Sequence, residues 1–217
     1  MKLDWVVQPP TFVRWLFPGS LWRGDKGRKV VYLTFDDGPV PEQTTWVLDL
    51  LKTYGIKATF FCVGDNVAKH HDIFERLVAE GHSVGNHTFN HLPYFRRGVT
   101  SAGYFANIAK CQEVEGGIAE CFRAPHGHVT PMLTHRLTHC QDGNKPMFRN
   151  VVFWDVMPKD YDNRLTPQEV FANVRTFVRP GSIIVFHDSI KAGERMRFAL
   201  SKTIEWLSSD GWTFEKL

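Results

Sequence analysis

The sequence predicts a single α/β domain whose parallel strands and surrounding helices form a (β/α) barrel. Segments rich in β-branched and aromatic residues alternate with segments of helical periodicity along the 217 residues. The chain shows neither a break in composition nor an internal repeat, so one domain accounts for it. Charged and imidazole side chains follow the predicted strands, as expected where strand ends converge on one rim. A doubly wound sheet would gather such residues less naturally from every strand, which favours the barrel.

The first predicted strand covers 30–35 and ends in two adjacent carboxylates, Asp36 and Asp37, before Gly38 and Pro39 turn the chain. Adjacent carboxylates at the end of a buried strand repel each other and lose hydration. A cation, a proton or an arginine partner must therefore offset that cost. This pattern indicates a metal ligand beside an acid-base group, and a solvated Asp-Asp-Gly turn is the alternative interpretation.

Helices and strands are predicted to alternate after this turn. Residues 42–54 place apolar side chains on one helical face, and 58–63 form the second strand. A helix from 65 or 66 to about 80 precedes a short third strand at 82–85. The later predictions are helices at 104–116, 131–139, 166–177 and about 195–208, and strands at 121–123, 151–154, 182–186 and 212–214.

Residues 1–28 are predicted to form an N-terminal arm, and residues 29–217 the main domain. The arm is aromatic, with Phe12, Trp15, Phe17 and Trp22 before the first strand. We expect it to pack across the bottom or side of the domain, although contact with a membrane surface is the alternative.

Composition excludes several classes of function. Lys and Arg number 26 against 23 Asp and Glu, and the basic residues are scattered, so a nucleic-acid partner is not expected. The four cysteines, Cys62, Cys111, Cys121 and Cys140, form no CxxC pair, and Cys62 is predicted to be a core thiol. No window reaches the length of a membrane span, and no signal peptide is recognisable. We therefore expect a cytoplasmic protein. An extracellular location is the alternative if a leader was removed.

Two histidines are spaced as metal ligands often are. His87 and His91 are four residues apart, which would place both imidazoles on one side of a single helical turn. Asp37, from a neighbouring strand end, supplies a third ligand. Three protein ligands and one open position describe a catalytic metal site. Two imidazoles and one carboxylate suit zinc, cobalt, nickel or iron.

Five short motifs, in order, resemble those of the polysaccharide deacetylases, the NodB-like carbohydrate esterases. The resemblance extends over about residues 29–217. The motifs are Thr34-Phe35-Asp36-Asp37-Gly38-Pro39, His87-Thr88-Phe89-Asn90-His91, Arg123-Ala124-Pro125-His126-Gly127, Asp160-Tyr161 and Val185-Phe186-His187.

The resemblance implies a distorted barrel with about seven strands and a divalent ion, commonly zinc, with cobalt or nickel as alternatives. It also implies hydrolysis of the N-acetyl group of N-acetylglucosamine units, as in peptidoglycan or chitin-like oligosaccharides. Carried over to this sequence, it assigns Asp37, His87 and His91 to the metal. The substrate, an N-acetylated amino sugar, is the partner that follows from this assignment.

The same resemblance implies roles for the remaining motif residues. Asp36 would be the general base, and Arg123 would pair with it and keep it ionised. His187 would be the general acid that protonates the leaving amine, with Asp160 orienting it. The backbone N–H of His126 would stabilise the oxyanion.

Tyr161 and Val185 would form apolar walls for the acetyl methyl group, although ordinary barrel packing explains Val185 equally well. The chain departs from the family pattern at three positions. Met157 stands where the family often has Asp, Tyr161 where it has Trp, and His126 where an aromatic residue such as Tyr is common. We expect these changes to alter the substrate pocket and to leave catalysis intact.

Two alternative functions are compatible with the sequence. A deacylase or amidase of a small metabolite or a lipid-linked amino sugar would keep the same chemistry, and the missing signal peptide favours it. A non-catalytic carbohydrate-binding domain is the second, but binding alone would not need both a base and an acid. The sequence does not predict the oligomeric state.

Overall fold

The computed structural model of the protein describes residues 5–139 and 146–217. Seven strands within these residues pair in parallel to form one sheet, which confirms the predicted α/β class with a barrel-like parallel sheet. They are β1 (Val30–Asp36), β2 (Thr59–Cys62), β3 (Ser83–Asn86), β4 (Cys121–Phe122), β5 (Asn150–Val151), β6 (Ile183–His187) and β7 (Thr213–Glu215). The spatial order is β5-β4-β3-β2-β1-β6, and β7 pairs with the first half of β1.

Eight α-helices are found within the described residues, and none of them is long and apolar enough to cross a membrane. They are α1 (Thr11–Trp15), α2 (Pro41–Thr53), α3 (Gly64–Lys69), α4 (His71–Ala79), α5 (Ser101–Val114), α6 (Pro131–Thr138), α7 (Pro167–Phe177) and α8 (Gly193–Ser209).

The hydrophobic core lies between the sheet and its helices. All seven residues of β1 are buried, which explains the continuous apolar run in its sequence. Phe35 stacks on Phe60 of the neighbouring strand with ring centroids 4.8 Å apart. Cys62 is buried in this core, as predicted, together with Cys111 and Cys121, whereas Cys140 lies outside the described residues.

The helix predicted to run from 65 or 66 to about 80 is two helices, so that prediction was wrong. His70 leaves the helical region, with φ −130° and ψ 52°, and separates α3 from α4. Its carbonyl accepts from the N–H groups of Ile73 and Phe74, which starts the second helix. The apolar side chains keep facing the core across the break, so periodicity alone could not reveal it.

The arm contributes to closure of the barrel between β5 and β6. The Leu21 N–H donates to the Val151 carbonyl at 2.9 Å, and the Phe153 N–H donates to the Leu21 carbonyl at 2.8 Å. Two residues later, Arg23 forms a β-bridge with Ser182, next to β6. The arm therefore spans the space between the two outer strands of the sheet.

A buried carboxylate fixes this junction. Asp155 is completely buried and accepts hydrogen bonds from Arg14 at 2.6 Å, from Arg179 at 2.6 and 2.9 Å, and from Ser182 at 2.7 Å. Burial on its own raises the pKa of Asp155, but the donors from Arg179, Arg14 and Ser182 outweigh it and hold the pKa below its usual range. One ionised group thus joins the arm to the segments beside β5 and β6.

We predict that Asp155→Ala lowers the free energy of unfolding by about 3 kcal/mol, because it leaves the surrounding guanidinium groups without their shared partner. Urea denaturation followed by circular dichroism measures the change. Asp25→Ala is the control, since Asp25 forms an exposed ion pair with Arg28 and should leave the midpoint unchanged. Equal midpoints for the Asp155 variant and the wild type would contradict the prediction.

Candidate active site

The carboxyl ends of the strands meet at one rim, around a cleft of about 720 Å³. This location agrees with the general position of active sites in parallel α/β barrels. Eight of the site residues selected from the sequence line the cleft: Asp36, Asp37, His87, His91, Arg123, His126, Tyr161 and His187.

Asp37, His87 and His91 form a compact group of candidate metal ligands. Their ligand atoms all lie within 4.8 Å of one another. The Asp37 Oδ1 is 3.3 Å from His91 Nε2 and 3.8 Å from His87 Nε2. Two ligands that each lie about 2.1 Å from one tetrahedral ion are about 3.4 Å apart, so the group fits a divalent ion such as zinc.

The tautomer of His87 also suits a ligand. Its Nδ1 lies 2.8 Å from the Arg123 carbonyl oxygen, and a carbonyl can only accept, so Nδ1 carries the proton. Nε2 is then left with a lone pair that faces Asp37. Metal-binding histidines commonly donate their second ring nitrogen in this way, which fixes the orientation of the ring.

The two histidines meet through a loop, so the prediction of a shared helical turn was wrong. Thr88 and His91 both adopt left-handed backbone conformations, with φ 65° and 54°. The Thr88 N–H donates to Asn86 Oδ1, and the Leu92 N–H donates to Thr88 Oγ1. These local hydrogen bonds compete with a helix and bring the two rings to a centroid distance of 5.1 Å.

The protonation states of this group suit metal binding. Burial on its own raises the pKa of Asp37, but the surrounding imidazoles outweigh it and lower the pKa: His187, His87, His91 and His126. Burial lowers the pKa of His87 to about 4. At neutral pH the group therefore offers a carboxylate and a neutral imidazole, the forms that bind metal ions.

Asp36 is held by a guanidinium inside the barrel. Arg123 is only 2 % exposed, and its Nη1 donates to Asp36 Oδ1 at 2.6 Å and to Thr34 Oγ1 at 2.8 Å. Its Nη2 donates to the Phe153 carbonyl at 3.0 Å, and the guanidinium lies 4.0 Å from the centre of the Phe61 ring. Burial lowers the pKa of Arg123, and the charge of Asp36 offsets part of that effect.

His187 and Asp160 form a hydrogen-bonded pair beside β1, at the end of β6. His187 Nδ1 lies 2.7 Å from Asp160 Oδ1, and the backbone N–H of His187 donates to Asp160 Oδ2 at 2.7 Å. The Tyr161 ring packs edge-on against the imidazole at a centroid distance of 4.9 Å. Burial on its own lowers the pKa of His187, but the nearby carboxylates, first of all Asp160, raise it to about 9.

The three departures from the family pattern, Met157, Tyr161 and His126, all line the cleft. His126 lies in the 3₁₀ turn Pro125–Gly127 and has φ 57°. Val185 is completely buried within β6 and lies outside the set of cleft-lining residues. The position of Val185 thus agrees with the packing alternative, and its role as an acetyl wall stays a prediction.

No motif in the sequence indicates a role for Asp188. This fully buried carboxylate accepts from the Gly38 N–H at 3.1 Å and from the Thr44 hydroxyl, while its own N–H donates to the Asp36 carbonyl at 3.1 Å. Burial raises its pKa to about 7. A Cβ added at Gly38 would lie 2.1 Å from the Asp188 carboxylate. The only signal for Asp188 in the sequence was its position directly after His187. In the structure, His187 pairs in register with Asp36.

Seven further residues complete the cleft. Ala124 and Gly127 belong to the third motif, and Trp154 lies at the end of a predicted strand. No motif marked the other four, which come from the arm and from the loop after β6: Trp5, Val6, Ser189 and Lys191.

The rim of this parallel half-barrel gathers two imidazoles and a carboxylate that could hold a metal ion, beside an arginine-held aspartate and an Asp–His pair. Such groups are the kind that hydrolases use. Residues 23–140 match the family model for polysaccharide deacetylases, which is more than half of the chain. The protein belongs to the polysaccharide deacetylase family, as its five motifs predicted.

Similar proteins support this membership. A peptidoglycan-N-acetylglucosamine deacetylase of Bacillus cereus is 26% identical, over 99% of this chain and 95% of its own. A chitooligosaccharide deacetylase of a Bradyrhizobium strain is 34% identical, over 77% of this chain and 74% of its own. A crystal structure of a peptidoglycan N-acetylglucosamine deacetylase superposes with a TM-score of 0.81 at 30% identity, covering 95% of this chain and 94% of the other.

The fold by itself does not decide activity. A CE4 family pseudoenzyme of Bacillus anthracis has a TM-score of 0.73 to this protein at 22% identity, over 93% of this chain and 68% of its own. That likeness concerns the fold alone, so the activity of this chain must be argued from its own site residues.

We predict that Asp37→Ala weakens zinc binding by more than about 100-fold, since loss of outer-shell partners alone costs roughly 10–100-fold. Equilibrium dialysis with quantification of bound zinc measures the affinity. Asp65→Ala is the matched control, because Asp65 is an exposed carboxylate paired with Lys69. Unchanged zinc affinity in the Asp37 variant would refute the proposed ligand group.

Proposed function

We propose that this protein is a metal-dependent carbohydrate deacetylase that removes the N-acetyl group from N-acetylglucosamine-type sugars. One observation supports this most strongly: the Asp37-His87-His91 group shares a cleft with the guanidinium-held carboxylate of Asp36 and with His187, which is paired with Asp160. An amide needs activation at both its carbonyl carbon and its leaving nitrogen, and this arrangement offers a group for each.

A divalent ion held by Asp37, His87 and His91 would supply Lewis acidity for the amide carbonyl and for water. Asp36 is the base in this proposal and takes the proton of the attacking water. Its bond to Arg123 fixes one carboxylate oxygen in place and leaves the other free to accept. Fixing the base in this way favours attack from a single direction.

His187 is the acid in this proposal. With Nδ1 facing Asp160, its Nε2 proton is directed away from that carboxylate and is available to the leaving amine. A pKa of about 9 keeps the imidazole protonated at neutral pH. Asp36 and His187, neighbours in register on β1 and β6, thus act as base and acid.

The substrate pocket completes the proposal. We assign the backbone N–H of His126 to the oxyanion that develops on the acetyl oxygen, and Tyr161 to one wall of the acetyl group. The names of the similar proteins, which act on peptidoglycan and chitooligosaccharides, support an N-acetylated amino sugar as the substrate.

Acetate release from N-acetylglucosamine oligomers tests the proposal. The protein is stripped of metal and assayed before and after addition of zinc or cobalt. We expect acetate only with metal. Bound metal without acetate release would favour the deacylase of a small metabolite, and absence of both would favour a non-catalytic carbohydrate-binding domain.

We predict that Asp36→Asn lowers kcat by about 10²–10⁴-fold, because an amide cannot accept the water proton. Zinc content should be unchanged, since Asp36 is outside the ligand group. Acetate release and metal analysis on the same sample measure both effects. Loss of zinc together with activity would overturn the assignment of Asp36 as the base.

We predict that Asp160→Asn moves the high-pH limb of the rate profile to lower pH by about one to three units. His187 must be protonated to act as the acid, and its protonated fraction falls as pH rises through the pKa of about 9. Removing the Asp160 charge lowers that pKa, so activity is lost at lower pH.

The pH dependence of kcat measures this shift. Asp162→Asn is the control, since this carboxylate lies in the same loop but pairs with Arg164. A high-pH limb that stays in place in the Asp160 variant would exclude His187 as the acid.

A further inference from the structure

The N-terminal arm forms part of the cleft wall. Trp5 and Val6 line the same cleft as the candidate catalytic residues, although they precede the first strand by more than twenty positions. None of the five family motifs includes them. Their place in the cleft therefore comes from how the arm docks on the domain.

Hydrogen bonds to its main-chain carbonyls hold this part of the arm in place. The Met157 N–H donates to the Val7 carbonyl at 2.8 Å, and the Trp154 indole N–H donates to the Val6 carbonyl at 2.8 Å. Val7 is only 1 % exposed. Both donors belong to the segment between β5 and the catalytic-site loop, so the arm is fixed directly against the cleft.

A buried ion pair secures the arm further along the chain. Arg14 donates to the Pro9 carbonyl at 3.2 Å and to the buried Asp155 carboxylate at 2.6 Å. One guanidinium thus fixes the turn of the arm and joins it to the barrel. These bonds restrict the position of Trp5, since it lies only nine positions before Arg14.

Trp154 joins the arm to the candidate oxyanion turn. The Trp154 ring packs against this turn, because a Cβ added at Gly127 would lie 2.9 Å from it. The Trp154 indole N–H donates to the carbonyl of Val6, the residue after Trp5. Trp5 thus lines the same cleft as His126, and Val6 and Trp154 link its backbone to the turn that carries His126.

Trp5 presents an apolar surface to the cleft. It is 56 % exposed and contacts Phe12 edge-on at a centroid distance of 5.6 Å. A rigid indole offers a large contact area at little cost in conformational entropy, and one face of a pyranose ring presents C–H groups. The cleft volume of about 720 Å³ is in the range that holds drug-sized ligands, which exceed one amino-sugar unit in size.

We propose that Trp5 is a specificity-determining residue that packs against a sugar ring next to the unit whose acetamide reacts. The preferred substrate is then an oligosaccharide, not a monosaccharide or another small metabolite. This inference rests on the proposed function and extends it to the length of the substrate.

The test compares Trp5→Ala with the wild type on the N-acetylglucosamine pentamer and on the monosaccharide. We expect KM for the pentamer to rise about tenfold with kcat unchanged, and the rate on the monosaccharide to stay the same. Trp5→Phe should restore most of the affinity for the pentamer. Arg14→Ala should raise KM in the same direction, because it releases the arm.

Trp15→Ala is the matched control, since Trp15 lies on the same arm, is 77 % exposed and does not line the cleft. An unchanged KM for the pentamer in the Trp5 variant, or an equal loss on both substrates, overturns the inference.

Binding of the pentamer, measured by calorimetry, distinguishes failure of this inference from failure of the proposed function. If the wild type releases no acetate, the deacetylase proposal fails, and the Trp5 contact is judged by binding alone. About tenfold weaker binding in Trp5→Ala then supports the contact, and equal binding refutes it.

Discussion

The buried contact between Arg123 and Asp36 is the interaction on which the rest of the site depends. The guanidinium contacts β1 through Asp36 and Thr34, β2 through the Phe61 ring, and the segment after β5 through the Phe153 carbonyl. Removing one partner of such a buried pair costs roughly 3–5 kcal/mol, because the other charge stays desolvated. The barrel interior is therefore organised around a charge whose partner is the candidate base.

Around this pair the cleft separates two electrostatic environments. Burial keeps His87 neutral, while carboxylates around His187 keep that imidazole protonated. The same type of side chain thus has a free lone pair at His87 and carries an extra proton at His187. Burial around His87 and the Asp160 charge beside His187 account for this difference.

The sequence predicted the fold class and most of the cleft because both depend on local patterns. Buried strands appear in the sequence as apolar runs. The polar residues that follow them converge where the ends of parallel strands meet. The loop that joins His87 to His91 escaped prediction because Asn86 and Thr88 side chains replace helical hydrogen bonds with local ones. Trp5 and Asp188 escaped because only the tertiary structure brings them to the site.

The placement of β1 in the sheet has a consequence for synthesis on the ribosome. The Thr34 hydroxyl bonds to the Ile184 carbonyl, 150 positions later in the chain, as β1 pairs with β6. Asp37, His87 and His91 are translated well before the strand that carries His187. A nascent chain therefore presents its three candidate ligands while one edge of its central strand is still unpaired. Such long-range pairing slows folding, and His187 is the last of the candidate catalytic residues to be translated.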